Sequence, residues 1–311
     1  MKIGFVVPMG EDPALGQPAP YRRLRDLALR AEGAGFDSVW VYDHLLYRFP
    51  DHPPAGIWEC WSVLTGLAEA TERVELGTIV LAAPWRNPAL LAKMAITVDE
   101  ISGGRLILGL GAGWHQPEFD AFGYPFDHRV GRFEEAMQVI GPLLREGKVD
   151  FHGKYVSAPD CEMRPPSSRS GARASIPILI ASRGPRMLRL TVEHADLWNT
   201  AWFGPVEASA ASRAEFDAAC AVAGRDPATL GVTVGVNVAA PGDQPDPDAN
   251  PGRVLAGTPE EIAAGLRAYA DAGVAHVICG ALSDPSRDYA ASVLDHLAEA
   301  IALYQAPAKA T

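Results

Sequence analysis

Asp43 and His44 stand side by side where the apolar run "SVWVYDHL" turns polar. A carboxylate accepts hydrogen bonds from the N–H edge of a ligand, and an imidazole gains and loses a proton near neutral pH. A further carboxylate, Glu118, closes the stretch "GRLILGLGAGWHQPEF" (Gly104–Phe119), just after Trp114 and His115. It stands where a second proton-transfer group would be useful, although a solvent-facing glutamate is the plainer expectation. A third stretch, Ala181-Ser182-Arg183-Gly184-Pro185, passes from an apolar run into a helical pattern. Free N–H groups at such a junction favour a phosphate.

Several other chemistries lack their residues. His44 and His52 are eight residues apart, and no H-x-H or H-E-x-x-H occurs. His115 and His128 have no carboxylate at ligand spacing, so no metal site is expected. No G-x-S-x-G marks a serine hydrolase. The glycines Gly109, Gly111 and Gly113 look like a dinucleotide fingerprint, but the spacing is G-x-G-x-G and position 114 is Trp. That fingerprint needs G-x-G-x-x-G in the first strand–helix unit, with an acid about 20 residues on. Here the motif lies beyond residue 100, and the acids that follow, Glu134 and Glu135, look solvent-facing.

Composition narrows the class. The 311 residues are 48% hydrophobic and 21% charged, enough apolar mass for a sizeable core. A formal net charge of -11 argues against a nucleic-acid partner. Arg22, Arg23 and Arg25 do cluster, but Asp26 and Glu32 share their helix, as on a solvated face. The cysteines at 60, 161, 220 and 279 form no C-x-x-C and read as reduced thiols of a cytoplasmic protein. The N-terminus enters a strand, "KIGFVVP", without the pattern of a signal peptide. No apolar run reaches the roughly 18 residues of a membrane span.

The elements that must position these residues follow from periodicity. Strands are expected at Ile3–Val7, Ser38–Tyr42, Glu75–Leu81, Leu106–Leu110, Ile178–Ala181, Leu197–Asn199, Val232–Val238 and Val277–Cys279. Helical patterns lie between them. Leu24, Leu27, Ala28 and Ala31 share one helical face, as do Leu294, Leu297, Ile301 and Tyr304. Thr258-Pro259-Glu260-Glu261 is a capping box with Pro at the first helical position. Eight strands, each followed by a helix, predict a (β/α)8 TIM barrel in the α/β class, with a doubly wound sheet as the alternative. Residues 149–176 and 239–257 exceed ordinary connections and read as insertions, and the terminal "QAPAKAT" reads as frayed. No repeat or boundary is visible, so 1–311 is expected to be a single domain.

In a barrel, catalytic groups sit just past the strands, where Asp43, His44, Gly113 and Ser182 all fall. In combination, four stretches resemble the luciferase-like flavin and deazaflavin oxidoreductases. They are "GFDSVWVYDHL" (Gly35–Leu45), "RNPALLAKMAITVDEISGGRLILGLGAGW" (Arg86–Trp114), "PILIASRGPRMLRLTVEHADLWN" (Pro177–Asn199) and "GTPEEIAAGLRAYADAGV" (Gly257–Val274). The resemblance implies a bacterial-luciferase-like barrel that transfers a hydride between the deazaflavin coenzyme F420 and a small organic substrate. It implies that Asp43 lies against the cofactor ring and His44 near the reacting carbon, with a bulge, and in some members a cis peptide, at Ile79-Val80. Small residues around Ala112 and Gly113 would let the rings approach the backbone, and the loop Ala181–Gly184 would take the cofactor phosphate. Arg183 replaces a glycine common in relatives. Trp114 stands where one sugar-phosphate dehydrogenase branch has a catalytic Glu, which argues against importing that mechanism. Trp58, Trp61, Trp85, Trp198 and Trp202 are candidates for an apolar substrate pocket. The alternatives are an FMN-dependent two-component monooxygenase, served by a separate flavin reductase, and a non-catalytic flavin-binding barrel. A homodimer is compatible with each.

Overall fold

The computed structural model describes residues 1–12, 16–167, 175–241, 253–281 and 289–306. Eight parallel strands form the centre: β1 (Lys2–Val6), β2 (Ser38–Val41), β3 (Glu75–Thr78), β4 (Leu106–Gly111), β5 (Ile178–Ala181), β6 (Leu197–Phe203), β7 (Gly231–Ala239) and β8 (His276–Ala281). Each pairs with its neighbours in sequence order, and β8 pairs with β1, with Ile3 opposite Val277. With Leu179 of β5 opposite Gly109 of β4, the ring is closed and the edge problem of an open sheet disappears. The (β/α)8 barrel expected from the sequence is therefore the fold, and a doubly wound sheet is not.

Helices α1 (Tyr21–Gly33), α2 (Cys60–Ala70), α3 (Pro88–Ile101), α4 (Gln116–Phe122), α5 (Arg129–Arg145), α6 (Pro185–His194), α7 (Ala210–Ala223), α8 (Pro259–Asp271) and α9 (Tyr289–Gln305) accompany the strands. Their starts obey local chemistry. Thr258 and Glu261 form the expected capping box, and Asn87 caps α3 by accepting from the Leu90 N–H at 3.0 Å. Leu24, Leu27, Ala28 and Ala31 are buried on α1, and Leu294, Leu297 and Ile301 on α9, while Tyr304 is half-buried. The core between strands and helices includes Phe5, Val39, Val41 and Leu76. A separate cluster fills the barrel interior with Val6, Trp40, Ile79, Ile107, Leu179 and Ile278.

Trp40 explains two strand glycines. A Cβ on Gly77 would lie 2.2 Å from the indole, and one on Gly4 2.5 Å from its Nε1. The flanking strands therefore give up side chains so that one indole can fill the barrel. Its Nε1–H donates to Ser38 Oγ, which also bonds His276 Nε2, each at 2.7 Å.

Three expectations need correction. The third strand does not run unbroken through Leu81. It stops at Thr78, Ile79-Val80 is a cis peptide, and pairing to β4 resumes at Leu81–Ala82. The insertion at 149–176 is not a plain long loop, because Lys148–His152 and Ser157–Glu162 pair as an antiparallel hairpin. Glu134 and Glu135 are not merely solvated. Glu134 pairs with Arg186 and Arg189, and Glu135 accepts the amides of Lys154, Tyr155 and Val156. Residues 168–174 and 242–252 of the two insertions, and 307–311 of the terminus, lie outside the described residues. Among the described residues no helix is long and apolar enough to cross a membrane.

Burial pushes the His276 imidazole down to about 3, helped by Lys2 and the N-terminal amine, so it is neutral in the folded chain. A histidine with a lowered folded pKa loses stability as pH falls below its unfolded value, 6.5, and goes on losing it down to about 3. Over that window His276 is expected to add a slope of up to about 1.4 kcal/mol per pH unit. Urea unfolding of wild type and His276→Gln at stepped pH measures it. The variant should show the shallower acid limb, and parallel curves would remove His276 as the source.

Candidate active site

The turn after β2 carries two residues with different duties. Asp43 is buried, 5% exposed, and faces the barrel mouth. Its Oδ2 accepts the Ala82 N–H at 2.9 Å and Arg86 Nη1 at 2.6 Å, and its Oδ1 accepts Arg86 Nη2 at 3.0 Å. Arg86 also reaches Glu59 at 3.0 Å, the residue whose carboxylate caps α2. Burial would lower the Arg86 pKa, but the hydrogen bonds and charge of Asp43 raise it above its usual value. The guanidinium thus fixes the Asp43 carboxylate and ties β2 to the segment after the cis peptide.

His44 is held from the other side. Its Nδ1 lies 2.8 Å from Glu118 Oε2. Glu118 Oε1 accepts the N–H groups of Leu45 at 2.5 Å and Leu46 at 3.0 Å. Burial would raise the Glu118 carboxyl, but the bond from His44 and the two amides outweigh it and hold the pKa below the ordinary value. An ionised carboxylate only accepts, so Nδ1 must be the donor and carry the proton. In the neutral ring Nε2 therefore carries the lone pair, and among the described residues it has no hydrogen-bond partner. The expected surface glutamate is therefore fully buried, at 0% exposure, under the histidine. Its local signal was its place in the first turn of α4, a helix that begins at the barrel mouth with Pro117 beside its start.

The mouth opens into a cavity of about 1080 Å³. Of the candidate residues, Asp43, His44, Ile79, Val80, Ala112, Gly113, Glu118, Ala181, Ser182 and Arg183 line it. Gly184 does not; it caps α6 at φ 73°. Arg183 is exposed, donates to the Ala201 carbonyl and lies over the Phe203 ring at 5.7 Å. Ser182 Oγ is already engaged, accepting from Thr191 at 2.7 Å. Arg129 and Arg253 add positive charge to the lining. The strand glycines have a different first purpose from the one expected. A Cβ on Gly109 would strike the Thr78 carbonyl at 1.8 Å, and one on Gly111 would meet Val80 at 2.8 Å. They admit strand β3 and its cis bulge, and only Gly111 and Gly113 reach the cavity.

The tryptophans divide. Trp85 and Trp202 line the cavity, as does Trp114. Trp198 is stacked on Phe216 of α7 at 4.3 Å, Trp61 is core, and Trp58 bonds the Ala19 carbonyl. The sequence reading missed Arg86, whose signal is weak: one arginine before the Asn87-Pro88 helix start.

The cavity suits a large flat cofactor. Its floor is apolar, with Val6, Ile79 and Val80, and acceptors and cations stand at the edges. Trp85 contributes a buried Nε1–H without a partner in its wall. Its volume reaches the upper end of small-molecule sites, roughly 300–1,000 Å³.

The family model for luciferase-like monooxygenases matches residues 1–249. The chain is 34% identical over 177 residues to a 5,10-methylenetetrahydromethanopterin reductase of Methanolobus tindarius, covering 57% of this chain and 49% of the relative. It is 37% identical over 172 residues to an F420-dependent glucose-6-phosphate dehydrogenase of Amycolatopsis mediterranei, covering 53% and 48%. It is 36% identical over 183 residues to the pyrimidine monooxygenase RutA of Agrobacterium fabrum, covering 53% and 48%. The chain spans about half the length of these relatives. Among solved structures, an F420-dependent secondary alcohol dehydrogenase in complex with an F420-acetone adduct superposes with a TM-score of 0.77 at 20% identity, over 98% of this chain and 99% of that one. The monooxygenase RslO1 from Streptomyces bottropensis gives 0.76 at 21%, over 98% and 100%. At such identities the likeness speaks for the fold.

Removing Arg86 would leave Asp43 buried and unpaired. Arg86→Leu is expected to cost about 3 kcal/mol of stability. Adding Asp43→Asn should restore most of the loss, because the stranded charge is gone. Denaturant unfolding of the two single variants and the double variant measures this, and simple additivity would show that the pair is not coupled.

Proposed function

The chain belongs to the luciferase-like monooxygenase family, and from that premise we propose that it is an oxidoreductase moving a hydride between coenzyme F420 and a small organic substrate. The observation that carries the reading is the His44–Glu118 pair, which leaves His44 Nε2 free at the wall of the cavity beside Asp43. When bound, the deazaflavin supplies or receives the hydride. The chain's own residues supply the rest. When the substrate is reduced, His44 in its imidazolium form delivers the Nε2 proton to the substrate heteroatom and is left neutral; in the reverse direction neutral Nε2 takes that proton, while Glu118 keeps the other proton on Nδ1 and stabilises the imidazolium. Glu118 acts through His44 and so is a positioning residue. Asp43, oriented by Arg86, keeps Oδ1 able to accept a further N–H from the polar edge of the cofactor. Ile79, Val80, Ala112 and Gly113 would pack on the flat rings. Ala181, Ser182 and Arg183, which line the cavity ahead of the α6 start, would face the phosphate, where helix N–H groups and positive charge meet.

The F420-named relatives and structural neighbour support this cofactor. The likeness to a pyrimidine monooxygenase favours a second reading, an FMN-dependent monooxygenase fed by a separate flavin reductase. A barrel that binds flavin without catalysis fits less well, since it would have no use for a buried glutamate that orients a cavity histidine. We place the whole chain in one barrel domain and its activity on a small molecule.

Titration of the full chain with the deazaflavin and with FMN should show tighter binding of the deazaflavin. His44→Asn should keep that affinity and lower turnover by about 10²–10⁴. Preference for FMN, with oxygen consumed when reduced FMN and substrate are present, would instead select the monooxygenase reading. Near-normal turnover of His44→Asn would make His44 structural.

A further inference from the structure

The cavity mouth has two chemically different sides. Arg183 follows β5 and bonds Ala201 on β6, and Arg253 lies beyond β7. His44 follows β2, and in a closed ring of eight strands β2 is four places from β6, directly across the barrel. The surroundings of His44 are aromatic. The Tyr47 ring lies 4.5 Å from the imidazole and Trp114 5.6 Å away, edge to face. Phe49 stacks on Tyr47 at 6.1 Å and on Trp114 at 6.4 Å, with interplanar angles of 16° and 26°. Trp114 and Phe49 are nevertheless 59% and 43% exposed. Large rings packed on each other at a cavity mouth, with outer faces still in water, present a surface for another flat apolar body.

The charges behind this wall point the same way. Asp43 and Glu59 share one guanidinium, Arg86, and Glu118 pairs with His44 itself. Arg48, in the same loop, is not among the lining residues. A phosphate beside His44 would stand next to the carboxylates of Asp43 and Glu118, which repel it, whereas an uncharged ring is not repelled.

We propose that the substrate held at His44 is an uncharged planar aromatic compound, stacked on Trp114. The proposal rests on reading the cavity as the reaction site. It assigns the two sides of the mouth: the arginine side to the anionic part of the cofactor and the aromatic side to the substrate.

The test uses three probes by calorimetry on the full chain, alone and with each candidate cofactor: 2-acetonaphthone, cyclohexyl methyl ketone and glucose 6-phosphate. The aromatic ketone is expected to bind about tenfold more tightly than the saturated one, and glucose 6-phosphate more weakly than either. Trp114→Ala should abolish the preference for the aromatic ketone, Trp114→Phe should restore most of it, and neither should change cofactor affinity. Because Trp114 is largely exposed, both variants are expected to fold, which their melting temperatures check. Equal binding of the two ketones, tighter binding of glucose 6-phosphate, or an unchanged preference in Trp114→Ala would overturn the proposal. A chain that prefers FMN but keeps the Trp114-dependent preference would refute the cofactor assignment above and support this one.

Discussion

A carboxylate with no access to water must have its charge met by the protein, and Glu118 meets this constraint by joining two parts of the barrel mouth. One oxygen takes the amides of Leu45 and Leu46, which fixes the path of the chain after β2. The other takes His44, which fixes the imbalance between the two ring nitrogens. Burying an ionised carboxylate is unfavourable unless such partners are present. With them, the group stays ionised, and the histidine is left with one committed and one free nitrogen. The chemistry proposed for the cavity depends on that asymmetry.

A second buried carboxylate solves the same problem differently. Asp43 is matched by a guanidinium and one amide and so becomes a rigid acceptor. Arg86 belongs to the segment after the cis peptide Ile79-Val80, so the bulge in β3 and the acceptor on β2 are set by one ion pair. Gly109 and Gly111 let that bulge approach β4. The two adjacent residues Asp43 and His44 thus receive separate supports.

The barrel was legible because each of its eight strands is a short apolar run bounded by turn residues, and parallel strands buried on both faces leave that pattern in sequence. Asp43 and His44 were legible for the same reason: they stand at a strand end, where barrel sites are built. Their partners were not. Glu118 and Arg86 are 74 and 43 positions from the residues they hold, and no local period reports a pairing made by strand closure. A lone glutamate after a glycine turn reads as solvated until the fold buries it. The glycines of β4 show the opposite difficulty. Their number is obvious, but whether they make room for a ligand or for a neighbouring strand depends on the bulge in β3. The tryptophans likewise share one residue type, and strict alternation would put Trp198 and Trp202, four residues apart, on one face; the register shift between Thr200 and Phe203 leaves Trp198 on Phe216 and turns Trp202 to the cavity.

The protonation of the His44 ring tests this account most directly. Nitrogen-15 NMR of the imidazoles at mildly alkaline pH, with His44 assigned by its loss in His44→Asn, distinguishes the tautomers without any ligand. The proton is expected on Nδ1, against Glu118, with an unprotonated Nε2, and Glu118→Gln should disturb this distribution. A His44 that carries its proton on Nε2, unchanged by Glu118→Gln, would contradict it.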